Sequence, residues 1–156
     1  MRYLKKAKFG AELERRYPSY IAGWFGDCLL DIPNWSYIDI SARAKVETLI
    51  RRTQAIPRIL GDSYPLIGFP NGVIRCHVAG WKNVPSNRKH SPIEISDPDE
   101  LAQLIVTRMH FRDPKGFEDN YYITNQKCEW FALFCHHGDW HFFAPKRTVQ
   151  RVKANW

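Results

Sequence analysis

The residues with the clearest chemical potential lie together near the C-terminal end, in Cys135-His136-His137-Gly138-Asp139-Trp140-His141. Gly138-Asp139 suits the two-residue loop of a type II′ hairpin, whose twist matches the strands it joins. That turn would set His137 opposite Trp140 and His136 opposite His141. Directly opposed residues have Cβ atoms about 4.5–5.5 Å apart. Two imidazoles so placed, with Asp139 as a third ligand, could hold a metal ion and support a metal-assisted hydrolase. Hairpin histidines also serve structural ends by stacking on aromatic rings. The spacing matches no metal motif such as HExxH.

A second chemistry is cysteine–histidine catalysis, because Cys76 precedes His77 and Cys135 precedes His136. Strand neighbours point to opposite faces, so neither adjacent pair can act as nucleophile and base. The four cysteines (Cys28, Cys76, Cys128, Cys135) form no CxxC and no zinc-like spacing. They read as reduced, buried thiols in a cytosolic protein. There is no glycine-rich phosphate loop and no GxSxG elbow. No cofactor is implied, and the chain reads as non-catalytic.

The third candidate is charge. The chain carries 23 Lys+Arg against 16 Asp+Glu, a formal +7. The excess sits at the ends: residues 1–60 hold 11 basic and 6 acidic side chains, 61–120 hold 7 and 8, and 121–156 hold 5 and 2. If the N-terminal helices and the C-terminal tail lie side by side, Lys5, Lys6, Lys8, Arg15, Arg16, Arg51, Arg52, Lys146, Arg147 and Arg151 form one positive face. Such a face suits nucleic-acid phosphates or an acidic protein surface. Trp24, Trp35, Trp81 and Trp156, in or beside loops or at the terminus, are candidate anchors.

These groups need elements to position them. Phe9, Leu13 and Tyr17 recur at i, i+4 and i+8, predicting a helix over 2–17 that ends at Pro18. Trp35 to Ile40 suggests a short strand. Ser41 could cap a second helix whose apolar stripe is Ala42, Val46, Leu49, Ile50 and Thr53, with Pro57 stopping or kinking it. Residues 64–78 read as a hairpin turning at Pro70-Asn71-Gly72, followed by a polar connection over 82–92. The third helix carries the strongest signal: Asp97 caps, Pro98 takes the first helical position and Glu100 completes a capping box, ahead of Leu101, Leu104, Ile105 and Met109.

The last third reads as a meander of Tyr121–Thr124, Glu129–His137 and Trp140–Ala144. Its middle strand is apolar on both faces and should be central and covered on both sides. The order argues one α+β domain over 1–156: an antiparallel sheet with a C-terminal three-stranded meander, covered by about three helices. Within it, a basic helical part spans about 1–60, a hairpin, helix and meander about 61–145, and a basic tail 146–156. Aromatic residues make up 14% of the chain. Most fall on strand positions, which makes them core before they are stacking platforms.

The N-terminal stretch lacks the apolar core of a signal peptide, and the longest apolar runs are far short of the ~20 residues a bilayer span needs. A cytoplasmic location with no membrane contact is the expectation. In size and scarcity of motifs the chain resembles the small cytosolic immunity proteins that neutralise bacterial toxins, a likeness of class that rests on no shared motif. It implies a protein partner, such as a toxin with an acidic surface, met by Arg43, Lys45, Arg51, Arg52, Arg88, Lys89 and Trp81. The alternative is a sequence-independent nucleic-acid binder using the basic face. RNP aromatics, a KH GxxG loop and a clear helix-turn-helix are all missing from the sequence.

Overall fold

A computed structural model of the chain describes residues 2–17, 29, 31–40, 45–70, 91–109, 120–134 and 139–156. Within them lie seven strands and four helices, in the order β1 (Arg2–Tyr3), α1 (Lys6–Arg16), β2 (Trp35–Asp39), α2 (Val46–Leu60), β3 (Leu66–Pro70), β4 (Ile93–Ile95), α3 (Pro98–Met109), β5 (Tyr121–Thr124), β6 (Phe131–Phe134), β7 (Trp140–Pro145) and α4 (Lys146–Ala154). The strands form one sheet in the order β1-β4-β3-β5-β6-β7-β2. Every pairing is antiparallel. This is the α+β architecture expected, with the C-terminal meander β5-β6-β7 inside the sheet. No described helix is long and apolar enough to cross a membrane.

Strand alternation sorts the core into two layers. Tyr121 and Ile123, Ala132 and Phe134, and Phe142 and Ala144 face the side covered by α2, α3 and α4, where Leu49, Ile56, Leu101, Ile105, Val149 and Val152 meet them. Tyr122, Phe131, Leu133 and Phe143 face the other side, where α1 contributes Phe9 and Leu13. All four residues of β5 and of β6 are buried. The strand that is apolar on both faces is therefore central and covered on both, as its sequence requires.

The helix ends obey local rules. The Glu100 amide donates to Asp97 Oδ1 at 2.8 Å, and Glu100 reaches back to accept from the Ser96 amide at 2.8 Å. The first bond satisfies an amide that the first turn of α3 would leave without a partner, and the second ties the chain entering the helix to that turn. α2 departs from expectation at both ends. It begins after Lys45 and runs through Pro57 to Leu60, where Gly61 adopts φ 76°. The Gly61 amide donates to the Arg58 carbonyl and the Asp62 amide to the Pro57 carbonyl, a Schellman closure. Pro57 removes one intrahelical bond close to the end, and the glycine cap terminates the helix a turn later. Ser41, proposed as the cap, lies outside the described residues.

The hairpin proposed for 64–78 needs correction. Ile67 and Gly68 of β3 are paired on one side with Glu94 and Ile93 of β4, and on the other with Thr124 and Ile123 of β5. Both edges are occupied there, so the hairpin pairing expected at Ile67 and Gly68 does not form. Residues 71–90 lie outside the described set.

The β6–β7 hairpin also departs from the tight-turn expectation. Leu133 stands opposite His141 and Phe134 opposite Trp140, leaving five residues, 135–139, between the strands. A two-residue turn at Gly138-Asp139 would have placed Phe131 opposite Lys146, outside β7. The observed register sets all four β6 residues against Trp140, His141, Phe142 and Phe143. Burying a single phenylalanine is worth roughly 1.5–3 kcal/mol. Burial sets the register.

Candidate functional site

α2 packs against α3 on one flank and α4 on the other. α4 buries Val149 and Val152 and turns the rest of its sequence, Lys146-Arg147-Thr148 through Lys153, outward. Lys146, Arg147, Arg151 and Lys153 of α4, with Lys45, Arg51 and Arg58 on or beside α2, are all exposed. None of these cations forms an ion pair with a described residue. Glu47 is the sole acid within α2, and α4 has none.

Lys146 and Arg147 occupy the first turn of α4, where no acidic residue offsets them. Cations at a helix N-terminus oppose the macrodipole, typically by about 0.3–1 kcal/mol each. The arrangement works against the helix's own stability. Lys5 and Lys8 likewise open α1, but on the other side of the sheet.

α1 is electrostatically different at its C-terminal end. Arg15 makes a two-point contact with Glu12, Nη2 to Oε1 at 2.7 Å and Nε to Oε2 at 3.1 Å, and Arg16 Nε donates to the same carboxylate at 2.7 Å. These bonds hold the Glu12 carboxyl down at about 2. The single positive face expected from the sequence therefore does not form. α1 seals one side of the sheet through Phe9 and Leu13, and α2 and α4 share the opposite side.

The individual candidates separate accordingly. Lys45 and Arg51 stand exposed on the α2 side of the face. Arg52 is half-buried and committed to the fold: it donates to the Ile40 carbonyl at 2.7 Å and lies 5.4 Å from the Trp156 ring centroid. Trp156 remains 38% exposed and joins α4 to α2 through that contact. Trp35 lids the α1-side core, edge-on to Tyr17 at 5.8 Å. Arg43, Arg88, Lys89, Trp81 and Trp24 lie outside the described residues.

His136 also lies outside them, but the expected opposition of His136 and His141 is overturned, because Leu133 occupies the position facing His141. On its other flank His141 faces Asp39 of β2, and Tyr37 packs edge-on against its ring at 5.4 Å. Its Nδ1 is buried without a hydrogen-bond partner. Asp139 is exposed just before β7. Among the described residues no three His, Cys, Asp or Glu side chains could share a metal ion. Cys128 is buried, and burial pushes its thiol up to about 12, which leaves it protonated at neutral pH.

A groove runs between α2 and the start of α3, with a volume of about 440 Å³. Arg51 and Arg58 are exposed along its α2 bank, Ala55 and Pro57 are buried between them, and Pro98 forms the opposite wall. Gln54 Nε2 ties the two helices by donating to the Pro98 carbonyl at 2.8 Å. At one end Asp62 is held rigidly: its Oδ2 accepts from Trp130 Nε1 at 2.7 Å and its Oδ1 from Asn125 Nδ2 at 3.1 Å. Tyr64 also lines the groove, its hydroxyl buried and without a partner. Burial, with the nearby Asp97 carboxylate, pushes that phenol up to about 12, so it remains a donor. Sequence reasoning missed Asp62 and the groove. The available signal was Trp130, a buried indole whose N–H needs an acceptor.

Comparison of the chain with models of known protein families, with curated proteins and with solved structures finds no match.

Proposed function

We propose that the chain is a non-catalytic binding protein whose α2/α4 face recognises an acidic surface on another protein. The observation that carries this reading is the row of exposed cations without described ion-pair partners, two of them placed against a helix dipole. Complementary charge speeds encounter and sets specificity even where its net contribution to affinity is small. The aromatic content points the same way. Trp130, Tyr121, Tyr122, Phe131 and Phe142 are buried in the core, which leaves them no role in stacking on bases. The biological setting we favour is neutralisation of a toxin by a small immunity protein in a bacterial cytoplasm.

The experiment is affinity capture from nuclease-treated lysate of the source organism, comparing the unaltered protein with an Arg147→Glu/Arg151→Glu variant. The expected result is one stoichiometric protein of acidic surface, released by salt and lost in the variant. Capture that disappears on nuclease treatment would overturn the reading in favour of nucleic acid. So would undiminished capture by the charge-reversed protein.

A further inference from the structure

The groove beside α2 differs from the surrounding face in having banks of opposite sign. On one side Arg51 and Arg58 are seven residues apart, about 10 Å along the axis at 1.5 Å per residue. On the other, Pro98 forms the wall, Asp97 lies near enough to act on the groove-lining Tyr64, and Asp62 closes one end. The carboxylate of Asp62 is fixed by two hydrogen bonds, so it cannot swing away to neutralise either arginine. A uniformly anionic strand laid in this groove would gain two guanidiniums and meet the carboxylate of Asp62, with that of Asp97 nearby. A peptide chain meets both banks, because it carries acidic side chains and N–H donors together. The unpartnered Tyr64 hydroxyl adds a donor beside the groove, and a buried donor without an acceptor costs about 1–3 kcal/mol. The volume lies within the range of pockets that enclose ligands, about 300–1,000 Å³.

We propose that this groove receives an extended peptide segment of the protein partner, with an acidic side chain toward Arg51 and Arg58 and a donor-bearing or basic group toward Asp62 and Asp97. The inference rests on the protein-partner reading above and assigns that partner a specific anchor. Pockets that take one segment of a partner concentrate binding energy that the surrounding flat contacts do not supply.

The test is a titration of the labelled full chain, followed by its amide resonances. The probes are capped Glu-Ala-Ala-Lys, capped Glu-Ala-Ala-Glu and a thymidine dinucleotide. The mixed-charge peptide should produce saturable shifts at Arg51, Gln54, Ala55 and Arg58. In Arg51→Glu/Arg58→Glu its binding should weaken about tenfold, the scale of one charge-assisted contact. In Arg147→Glu/Arg151→Glu it should be unchanged. No saturable shift from either peptide would overturn the inference, as would tighter binding of the all-acid peptide or of the dinucleotide. Failure here with α4-dependent protein capture intact would remove the groove and keep the face. Failure of that capture would remove the face.

Discussion

The two sides of the sheet are built from the same materials and put to different use. On the α1 side, aromatic rings interlock: Phe9 meets Phe69 at 4.8 Å between centroids, Phe69 stacks on Tyr122 at 5.1 Å, and Tyr17 reaches the Cys128 carbonyl with its hydroxyl. The two arginines that end α1 share the carboxylate of Glu12. On the α2/α4 side lies the second core cluster, and the exposed cations above it form no ion pair with a described residue. Arginines are tied into ion pairs at the end of α1 and left unpaired among the described residues of α2 and α4. Under the proposed function, a partner would bind the α2/α4 face without first displacing an ion pair between described residues.

The largest effect tests whether the two cores are equivalent. Phe131→Ala removes a fully buried ring on the α1 side, and Phe142→Ala removes one on the α2/α4 side. Each should cost about 3–5 kcal/mol by loss of transfer energy and creation of a cavity. Urea unfolding midpoints would check this, and a much smaller loss for one of them would break the equivalence.

An intermediate effect separates binding from stability. Arg147→Glu replaces an opposed cation with a favoured anion in the first turn of α4, and should raise stability by about 0.5–1.5 kcal/mol. Thermal melting at low salt is the measurement. A loss of stability would mean that Arg147 supports the fold and is not held in reserve for a partner.

The smallest effect concerns the α1 side. The Glu12 carboxyl is depressed from its ordinary value to about 2, so its contribution is present above the ordinary glutamate range. It is lost as pH falls from about 4.5 through about 2. Stability in acid should therefore decline more steeply for the unaltered protein than for Glu12→Gln over that window. Parallel declines would show the pair with Arg15 and Arg16 to be energetically idle.

Much of this organisation was legible in short stretches of chain. The Asp97-Pro98-Asp99-Glu100 start of α3 carries its own capping bonds, and Phe9, Leu13 and Tyr17 line one face of α1 wherever that helix docks. The apolar character of Phe131 through Phe134 on both faces demanded a central strand. Less legible was the end of α2, where Pro57 was the louder signal and Gly61 the operative one. The candidate site was only partly visible. Lys45 and Arg51 lie on it, while Arg52 is drawn into the fold by Ile40 and Trp156, and the α1 cations lie behind the sheet.

What the amino-acid sequence determined by itself is local: the period of its helices, the caps set by residues three or four apart, and the burial demand of each strand. Tertiary structure alone decided which helices share a side, which residue faces His141, and what satisfies the indole of Trp130. The reason is separation along the chain. Trp130 finds its acceptor in Asp62, 68 residues earlier, and Tyr17 finds the Cys128 carbonyl 111 residues later. Contacts of that reach depend on how the sheet orders its strands. Register, in turn, follows the burial of several aromatic residues at once, which outweighs the preference of any single turn.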